Sequence, residues 1–253
     1  MAQPDGAHAA AREVARALEA LLADEPLLAA RLPDGFVERA AAYAGLLLDA
    51  NRRLNLTRVT EPAEVARLHL LDAMAALPLL DELQPATAVD LGSGGGVPGI
   101  PLALARPGTR WILVDSVRKK ADALQAMVDR LDLDNVTVLA ERAELIGRDE
   151  AHRERHDLVA ARACAPLPVL AELAMPLLAV GGTLLAWKGP LTEADEEMRR
   201  GRAAIGQLGG GQLAVRPSLP ALGGHTFVHV PKTGATPARF PRRPGEPARR
   251  PLG

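Results

Sequence analysis

Ala88-Val-Asp-Leu-Gly-Ser-Gly-Gly-Gly-Val-Pro-Gly99 is the stretch that decides the fold of this 253-residue chain. The apolar run 86–91 has the pattern of a buried parallel strand, and residues 99–105 resume as a helix. Five of the eight residues from Gly92 to Gly99 are glycines, which allow a sharp turn and a close approach of a ligand to the backbone. Strand, glycine turn and helix form the first half of a nucleotide-binding βαβ unit.

Three interpretations of this turn are open: a dinucleotide site, an S-adenosylmethionine site, or a turn without a ligand. Gly94-x-Gly96-x-x-Gly99 fits the dinucleotide pattern, and Asp115 ends the next strand where a ribose-binding acid belongs. Asp90 favours S-adenosylmethionine, because a carboxylate there repels a pyrophosphate and attracts a cationic amino group and sulfonium. The pattern is similar to the cofactor loop of class I methyltransferases.

Composition limits the class of protein. The apolar content of 48% is enough for a globular core, and the net charge of −1 requires any RNA site to be a local patch. Cys164 is the single cysteine, which excludes an internal disulfide and a multi-cysteine metal site and fits a reducing cytosol. No signal-peptide segment or membrane-spanning run is evident, so we expect a cytoplasmic protein without a membrane partner.

Strand and helix patterns alternate from residue 86 onward. Strands are predicted at 86–91, 110–115, 136–140, 157–163, 183–187, 212–215 and 225–230, and helices at 99–106, 117–131, 166–179 and 192–206. This alternation predicts an α/β fold with a Rossmann-like, doubly wound, mostly parallel seven-stranded sheet. Ligands in such sheets lie beyond the carboxyl ends of the strands, which places one set of polar residues at a common edge: Asp90, Asp115, Glu141 to Glu144, Arg162 and Lys188.

The chain divides into four predicted segments: an N-terminal helical extension (1–34) with no site, a helical lead-in packed on the catalytic domain (35–84), the catalytic domain (85–231) and a basic tail (232–253). The first two segments form a helical cap. In the lead-in, a helix from residue 62 has Val65, Leu68, Leu71 and Ala75 as its core face, with His69 and Asp72 on another face.

The tail has six basic residues, one acidic residue and therefore a net charge of +5, with proline recurring throughout. Such a composition predicts disorder. A solvated tail and an arm that binds RNA phosphates are both open interpretations.

Three further motifs precede or extend the glycine loop: Asn51-x-x-x-Asn55-Leu-Thr57, His69-x-Leu-Asp72 and the ending Pro98-Gly-Ile-Pro101. With them the chain resembles the ribosomal RNA small-subunit methyltransferase G family, also called glucose-inhibited division protein B. Agreement extends in order over residues 35–231 and includes Leu113-Val-Asp-Ser116, Lys119, Ala161-Arg162-Ala163, Gly181-Gly182 and Lys188-Gly189.

The resemblance implies methylation of N7 of one guanine in 16S rRNA, position 527 in conventional rRNA numbering. The substrate is then the small ribosomal subunit or its precursor. The cofactor is S-adenosylmethionine, the product is S-adenosylhomocysteine and no metal is needed. The cofactor-binding residues implied are Asp90, Gly92, Gly94, Gly96, Val97, Asp115, Ala143, Glu144 and Arg162. Alternative roles are a helix N-cap for Asp115, a solvated helix position for Glu144, and an ion pair with Asp90 or Asp115 for Arg162.

Guanine N7 carries a lone pair at neutral pH, so the reaction requires no general base. Catalysis is then expected from holding N7 in line with the methyl–sulfur bond and excluding water. The candidate catalytic residues that orient the base are Asn51, Asn55, His69 and Arg162. A structural, hydrogen-bonded histidine is the alternative for His69.

RNA contacts are expected on basic residues near the lead-in and the sheet edge: Arg52, Arg53, Arg58, Arg67, Lys119, Lys120 and Lys188. A plain surface lysine is the alternative for Lys188. Three aromatic side chains are options for base stacking: Tyr43, Trp187 and Phe240.

Two other functions compete with this one. A methyltransferase for another RNA stays an open alternative, whereas one for a small molecule or a protein is opposed mildly by the basic lead-in and tail. A non-catalytic rRNA-binding assembly factor is opposed by the intact glycine loop with Asp90 and Asp115.

Overall fold

A computed structural model describes residues 4–192 and 194–253 of the chain. The first three residues of the predicted extension, and residue 193 within the predicted helix 192–206, lie outside the described residues. The helices that precede the sheet are α1 (Pro4–Ala23), α2 (Pro26–Ala29), α3 (Phe36–Leu54), α4 (Pro62–Val65), α5 (Asp72–Met74) and α6 (Leu77–Leu83), with a π-helical turn at Ala66–Leu71.

Seven strands form one sheet in the order β3-β2-β1-β4-β5-β7-β6. They are β1 (Thr87–Leu91), β2 (Arg110–Val114), β3 (Val136–Leu139), β4 (His156–Arg162), β5 (Leu178–Lys188), β6 (Ala214–Pro217) and β7 (Thr226–Pro231). Strands β1 to β5 run parallel to one another, and β7 runs antiparallel to β5 and β6. The doubly wound, mostly parallel, seven-stranded sheet predicted from the sequence is confirmed.

Both faces of the sheet are covered, because successive side chains of a strand point to opposite faces. On β1, Ala88 belongs to one apolar core and Val89 to the other. Helices α7 (Gly99–Ala105) and α8 (Arg118–Arg130) cover the first face together with the N-terminal helices. The second face is covered by α9 (Ala143–Ile146), α10 (Leu167–Ala174) and α11 (Glu196–Gln207).

The helix predicted at 166–179 is shorter than expected, because it ends at Ala174 and β5 already begins at Leu178. Pro176 lies in the connection, and proline cannot donate the backbone hydrogen bond that would continue a helix. Strand β5 therefore starts five residues before its predicted limit of 183 and carries Gly181 and Gly182 within it.

The buried face of the segment 62–74 also differs from the prediction. His69 and Asp72 are buried with exposures of 4% and 1%, whereas Leu68, predicted in the core, is half-buried. The π-helical turn is the physical reason, since its wider i→i+5 repeat rotates the residues that follow relative to an α-helix. This rotation turns the two polar side chains inward toward the sheet edge.

The predicted disorder of the tail is wrong, because residues 232–253 fold against the second face of the sheet. Phe240 is 4% exposed within that core, and a short helix α12 (Glu246–Arg249) follows. The Arg242 guanidinium donates to both carboxylate oxygens of Glu172, which is fully buried on α10. The prediction failed because it used the average composition of the tail, which does not show that one aromatic ring is buried or that Arg242 pairs with Glu172.

Within residues 4–192 and 194–253, none of the helices is both long enough and apolar enough to cross a membrane.

Candidate active site

The glycine loop after β1 forms a cradle that other residues cannot form. Gly96 has a φ of +99°, and a Cβ there would lie 2.7 Å from Ile100 Cδ1. Gly99 opens α7, and a Cβ at that position would lie 2.7 Å from Asp90 Oδ2. These two glycines therefore let the loop pack closely on α7 and β1, while the Cβ position of Gly94, which has a φ of +56°, has no neighbour nearer than 3.9 Å. This shape fits a ligand that contacts main-chain atoms, as S-adenosylmethionine is expected to do.

Asp90 lies beneath the loop at 0% exposure. Its Oδ2 accepts a hydrogen bond from the Gly99 amide at 3.0 Å, and its Oδ1 is buried without a hydrogen-bond partner. Burial raises the pKa of Asp90 to about 7, against the lowering effect of the Gly99 amide. A buried carboxylate with a free oxygen fits a cationic ligand above the loop.

Asp115 follows β2 and is 7% exposed. Its Oδ2 accepts from the Gly94 amide at 2.9 Å, and its Oδ1 accepts from the Val117 amide at 2.8 Å. The second bond is an Asx turn that precedes α8 and not a helix N-cap, because the N-cap residue of α8 is Val117 and no side chain caps that helix. A carboxylate has about four lone-pair sites, so Asp115 keeps acceptor capacity for ribose hydroxyls.

A cavity opens between the glycine loop and the ends of β2, β3 and β4. Its walls include Gly92, Val114, Ser116, Ala143, Glu144, Cys164, Pro247 and Ala248. Glu144 is not a solvated helix residue, since it is 4% exposed and its Oε1 accepts from Arg142 Nη2 and the Gly245 amide, each at 2.7 Å. The two bonds bring α9 and the C-terminal residues together at this cavity.

Arg162, at the end of β4, binds the turn that carries His69. Its Nη1 donates to Asp72 Oδ2 at 3.1 Å and to the Leu68 carbonyl at 2.5 Å, and its Nη2 lies 3.2 Å from His69 Nδ1. Neither Asp90 nor Asp115 is its partner, so the ion pair considered from the sequence is wrong in that respect. The π-helical turn has rotated a third aspartate, Asp72, into reach instead.

Asp72 is the centre of this cluster. Its Oδ1 lies 3.0 Å from His225 Nδ1, and its carbonyl accepts from Trp187 Nε1 at 2.9 Å. The carboxylate is 1% exposed, and its contacts join the π-helical turn to β4, β5 and the residue before β7. These contacts fix Arg162 at the rim of the sheet.

His69 is held in one tautomer. A guanidinium only donates, so Nδ1 accepts from Arg162 and Nε2 donates to Thr57 Oγ1 at 2.8 Å. Burial and the positive charge of Arg162 lower the pKa of His69 to about 4. The imidazole is therefore neutral at physiological pH, and its only lone pair is already engaged.

The Asn51–Thr57 motif shapes the loop that meets His69. Asn51 Oδ1 accepts from the Thr57 amide at 2.8 Å, and Asn55 ends α3 in the left-handed conformation with a φ of 48°. Thr57 is then positioned to accept from His69. The structure thus brings Asn51, His69 and Arg162 into one chain of contacts, while Asn55 acts at the helix end and is exposed.

A second cavity lies beside the first. It is lined by Asp72, Arg162, Ala163, Trp187, Lys188, Gly189 and His225. Ala163, with a φ of 51°, lines this cavity and the next residue, Cys164, lines the other. The loop after β4 is therefore the shared wall of two adjacent cavities at the carboxyl edge of the sheet.

Lys188 is engaged rather than free. Its Nζ lies 2.6 Å from Glu197 Oε1 and 3.1 Å from the Ala165 carbonyl. Arg67 pairs with Glu64 and with the Ala221 carbonyl. By contrast, Arg52, Arg53, Arg58 and Lys119 are exposed and Lys120 is half-exposed. These five positions are the open part of the predicted RNA-binding set.

The three aromatic side chains expected to stack on RNA bases are buried. Tyr43, Trp187 and Phe240 are 0%, 4% and 4% exposed, so none presents a ring face to a base on the surface. Tyr43 has another role, since its hydroxyl donates to the Gly95 carbonyl at 2.8 Å and ties α3 to the glycine loop. Burial raises the pKa of the Tyr43 hydroxyl.

Sequence reasoning missed three residues of the site, His225, Pro247 and Ala248, and it gave Asp72 no role. A signal for His225 was available, since a strand antiparallel to β5 begins at the edge where β5 ends, and Lys188 pairs with Thr226. The pattern His69-x-Leu-Asp72 also marked Asp72 without showing its partners.

In the described parts of the chain, no group of three or more His, Cys, Asp or Glu side chains is arranged to hold a metal ion. The ionisable side chains in the lining of the two cavities are Asp72, Arg162, Lys188 and His225 in one, and Glu141, Arg142, Glu144 and Cys164 in the other.

Residues 37–216 match the sequence profile of a family described as rRNA small subunit methyltransferase G. A relative named ribosomal RNA small subunit methyltransferase G from Roseiflexus castenholzii is 43% identical over 224 residues, which cover 88% of this chain and 94% of the relative. A relative of the same name from Deinococcus radiodurans is 43% identical over 217 residues, covering 85% of each chain.

Solved structures share the fold at low sequence identity. An O-methyltransferase from Bacillus cereus in complex with S-adenosylhomocysteine superposes with a TM-score of 0.56 at 18% identity, covering 76% of this chain and 91% of that one. The O-methyltransferase TomG from Streptomyces achromogenes gives a TM-score of 0.54 at 19% identity, covering 76% and 90%. The fold is that of class I methyltransferases, as the sequence predicted.

Proposed function

Because this chain belongs to the rRNA small subunit methyltransferase G family, we propose that it transfers the methyl group of S-adenosylmethionine to N7 of a guanine in 16S rRNA. S-adenosylhomocysteine is the other product. The methyl acceptor corresponds to position 527 in conventional rRNA numbering, and the substrate particle is the small ribosomal subunit or its precursor. A cytoplasmic location is part of the same proposal.

The observation that carries this proposal is the pair of adjacent cavities. One cavity has Gly92, Ser116 and Glu144 in its wall, and Asp115, which holds the Gly94 amide, lies next to Ser116 in the chain; this arrangement suits the cofactor. The other has Arg162, Asp72 and His225, whose donors and acceptors suit a purine base. The shared wall at Ala163 and Cys164 brings the two ligands within reach of each other. The cofactor supplies an activated methyl group on sulfur.

The residues around the base act by position rather than by taking a proton. Guanine N7 has an unshared electron pair in the plane of the ring, so nothing has to be removed before it attacks. The lone pair of His69 is engaged by Arg162, which agrees with a reaction that needs no general base. We propose that Asn51 and His69 hold Thr57 and Arg162 in place, and that Arg162 contacts the nucleotide.

The methylated base carries a positive charge that its pocket has to accommodate. Asp72 is the carboxylate in the lining of that cavity, and Asp90 lies beneath the neighbouring loop. Negative groups fixed in a water-poor site stabilise developing positive charge without reorganising. Asp72 is therefore proposed to stabilise the product-like transition state as well as to orient Arg162.

The test is methyl transfer from labelled S-adenosylmethionine to small subunits that lack this methyl group. Cleavage at N7-methylguanine followed by reverse transcription locates the modified base. We expect a single stop, at the proposed guanine, and loss of product with Asp72→Asn while S-adenosylhomocysteine affinity is retained. Label on another nucleotide, or on no RNA at all, would overturn the proposal. A matched control is Asp122→Asn, an exposed aspartate on α8, which should leave the stop unchanged.

A further inference from the structure

The residues that close the cofactor cavity include two from the C-terminal part of the chain. We call residues 236–250 the C-terminal segment; it lies beyond residues 37–216, the part that matches the family profile. Pro247 and Ala248 stand in the cavity wall with Gly92, Glu144 and Cys164. Pro247 is buried and Ala248 is exposed.

The segment is fastened to the catalytic domain at its start. Arg153 on the loop before β4 donates to the Phe240 and Thr236 carbonyls, each at 2.8 Å. Thr236 Oγ1 accepts from Lys232 Nζ at 2.8 Å, and that amine is buried and also bonds Glu154 at 2.8 Å. Phe240 completes the anchor by packing into the core of the second sheet face.

Two acidic side chains on the domain hold the later part of the segment. Glu172 accepts from the Arg242 guanidinium and from the Arg242 backbone amide, the latter at 2.8 Å. Glu144, which the sequence assigned to the cofactor site, accepts from the Gly245 amide at 2.7 Å. Pro247 and Ala248 follow two and three residues later, so Glu144 sets where they lie in the wall.

We propose that the C-terminal segment is a structural wall of the cofactor site, with Gly245 to Ala248 closing it at the end where Ala143 and Glu144 are expected to flank the adenine. This inference rests on the proposed cofactor. Glu144 is then a positioning residue, since its carboxylate is committed to Arg142 and Gly245. Cofactor affinity depends on a part of the chain outside the matched family region.

The decisive variant is a truncation after Pro244, which removes the wall and keeps Phe240 and the Arg242–Glu172 pair. The probes are S-adenosylhomocysteine and 5′-methylthioadenosine, which has the same nucleoside without the amino acid, measured by titration calorimetry. Both should bind at least tenfold more weakly than to the full chain, and by similar factors, because the wall lies at the nucleoside end. Equal affinity of full and truncated protein for both probes overturns the inference.

A point variant keeps the test valid if the truncation does not fold. Ala248→Trp fills the cavity from the segment's own side, and Ala238→Trp places the same ring on an exposed alanine of the same segment outside the cavity lining. We expect Ala248→Trp to weaken S-adenosylhomocysteine binding tenfold or more and Ala238→Trp to leave it unchanged. Unchanged binding by Ala248→Trp overturns the inference. Failure of the wild-type protein to bind either probe overturns the cofactor assignment instead.

Discussion

At the scale of single residues, His69 shows how neighbours determine what a side chain does. An unperturbed histidine near pKa 6.5 titrates at neutral pH, but burial and Arg162 lower the pKa of His69 to about 4. The group is therefore neutral from about pH 5 upward. We therefore expect that the pH profile of the maximal single-turnover rate of methyl transfer contains no ionisation near pH 6.5 that belongs to His69.

Two variants of His69 distinguish a hydrogen-bonding role from a role as a base. A glutamine amide can accept from Arg162 through its oxygen and donate to Thr57 through its nitrogen, as the imidazole does. His69→Leu removes both bonds, and loss of a bond to a charged partner costs about 1.5–3 kcal/mol, or roughly 10- to 150-fold in rate. Glutamine should retain more activity than leucine. A rate that follows one ionisation near pH 6.5, absent in His69→Gln, would instead make His69 a base.

Asp90 should link cofactor binding to pH. Burial raises its pKa to about 7, Arg162 opposes this effect and Asp115 adds to it. The sulfonium of S-adenosylmethionine favours the ionised carboxylate, whereas S-adenosylhomocysteine has no sulfonium charge. The preference for S-adenosylmethionine over S-adenosylhomocysteine should therefore increase several-fold from pH 6 to pH 8.

Calorimetric titrations at both pH values measure this preference, and Asp90→Asn is the control that cannot ionise. A preference that does not change with pH in the wild-type protein would rule out the link.

The same ionisation also affects the stability of the fold, and its direction follows from the pKa of Asp90 in the two states. Between the unfolded pKa of 3.8 and the folded value of about 7, the folded state retains a proton that the unfolded chain has lost. Rising pH across that window therefore lowers the Asp90 contribution to the free energy of unfolding.

At the scale of elements, the ion pair between Arg242 and Glu172 connects the C-terminal segment to α10. Removing one partner of a buried pair leaves an uncompensated charge and costs about 3–5 kcal/mol. Arg242→Ala should reduce the free energy of unfolding by that amount, measured by urea denaturation. Arg243→Ala changes the exposed neighbour and should alter stability by less than about 0.5 kcal/mol.

The double variant Arg242→Ala with Glu172→Leu separates the charge effect from lost packing. Since it removes the buried carboxylate as well, it should recover part of the stability lost in Arg242→Ala. No recovery would mean that packing of the segment, rather than the unpaired Glu172, dominates the loss.

These elements also show what a sequence can and cannot predict. The glycine loop, the mostly parallel seven-stranded sheet and the placing of Asp90, Asp115 and Arg162 at one edge follow from local pattern and the rules of parallel sheets. The partners of Asp72 do not, because Arg162 and His225 lie 90 and 153 residues away in the chain. A π-helical turn rotates Asp72 toward these two partners, and the spacing of the apolar residues in this segment does not predict such a turn.

At the scale of the whole molecule, the location of the positive charges matters more for RNA binding than the net charge of the chain. The chain has a net charge of −1, yet Arg52, Arg53 and Arg58 lie exposed near the loop that leads to His69. We propose that they bind rRNA phosphates, which would make particle binding dependent on salt. The double variant Arg52→Ala/Arg53→Ala should lower the salt slope of binding by about 1.5, on the basis of roughly 0.7–0.9 per phosphate contact.

A matched control removes the same charge from the opposite edge of the sheet. Arg110 begins β2 and Arg155 precedes β4, so both exposed arginines lie at the amino ends of strands. Arg110→Ala/Arg155→Ala should leave the salt slope unchanged, and neither double variant should alter S-adenosylhomocysteine affinity. Equal slopes for the two double variants in filter-binding titrations would contradict a local RNA surface.

The π-helical turn at Ala66–Leu71 has a consequence for how this molecule tolerates insertion and deletion. The turn already holds about one residue more than an α-helical turn, and an α-helix advances by about 100° per residue, so inserting one further residue there would rotate every following side chain of the segment by about that angle. Asp72 would then face away from Arg162, although no residue of the cluster had been changed. The length of this turn is therefore as much a part of the site as the identity of its side chains.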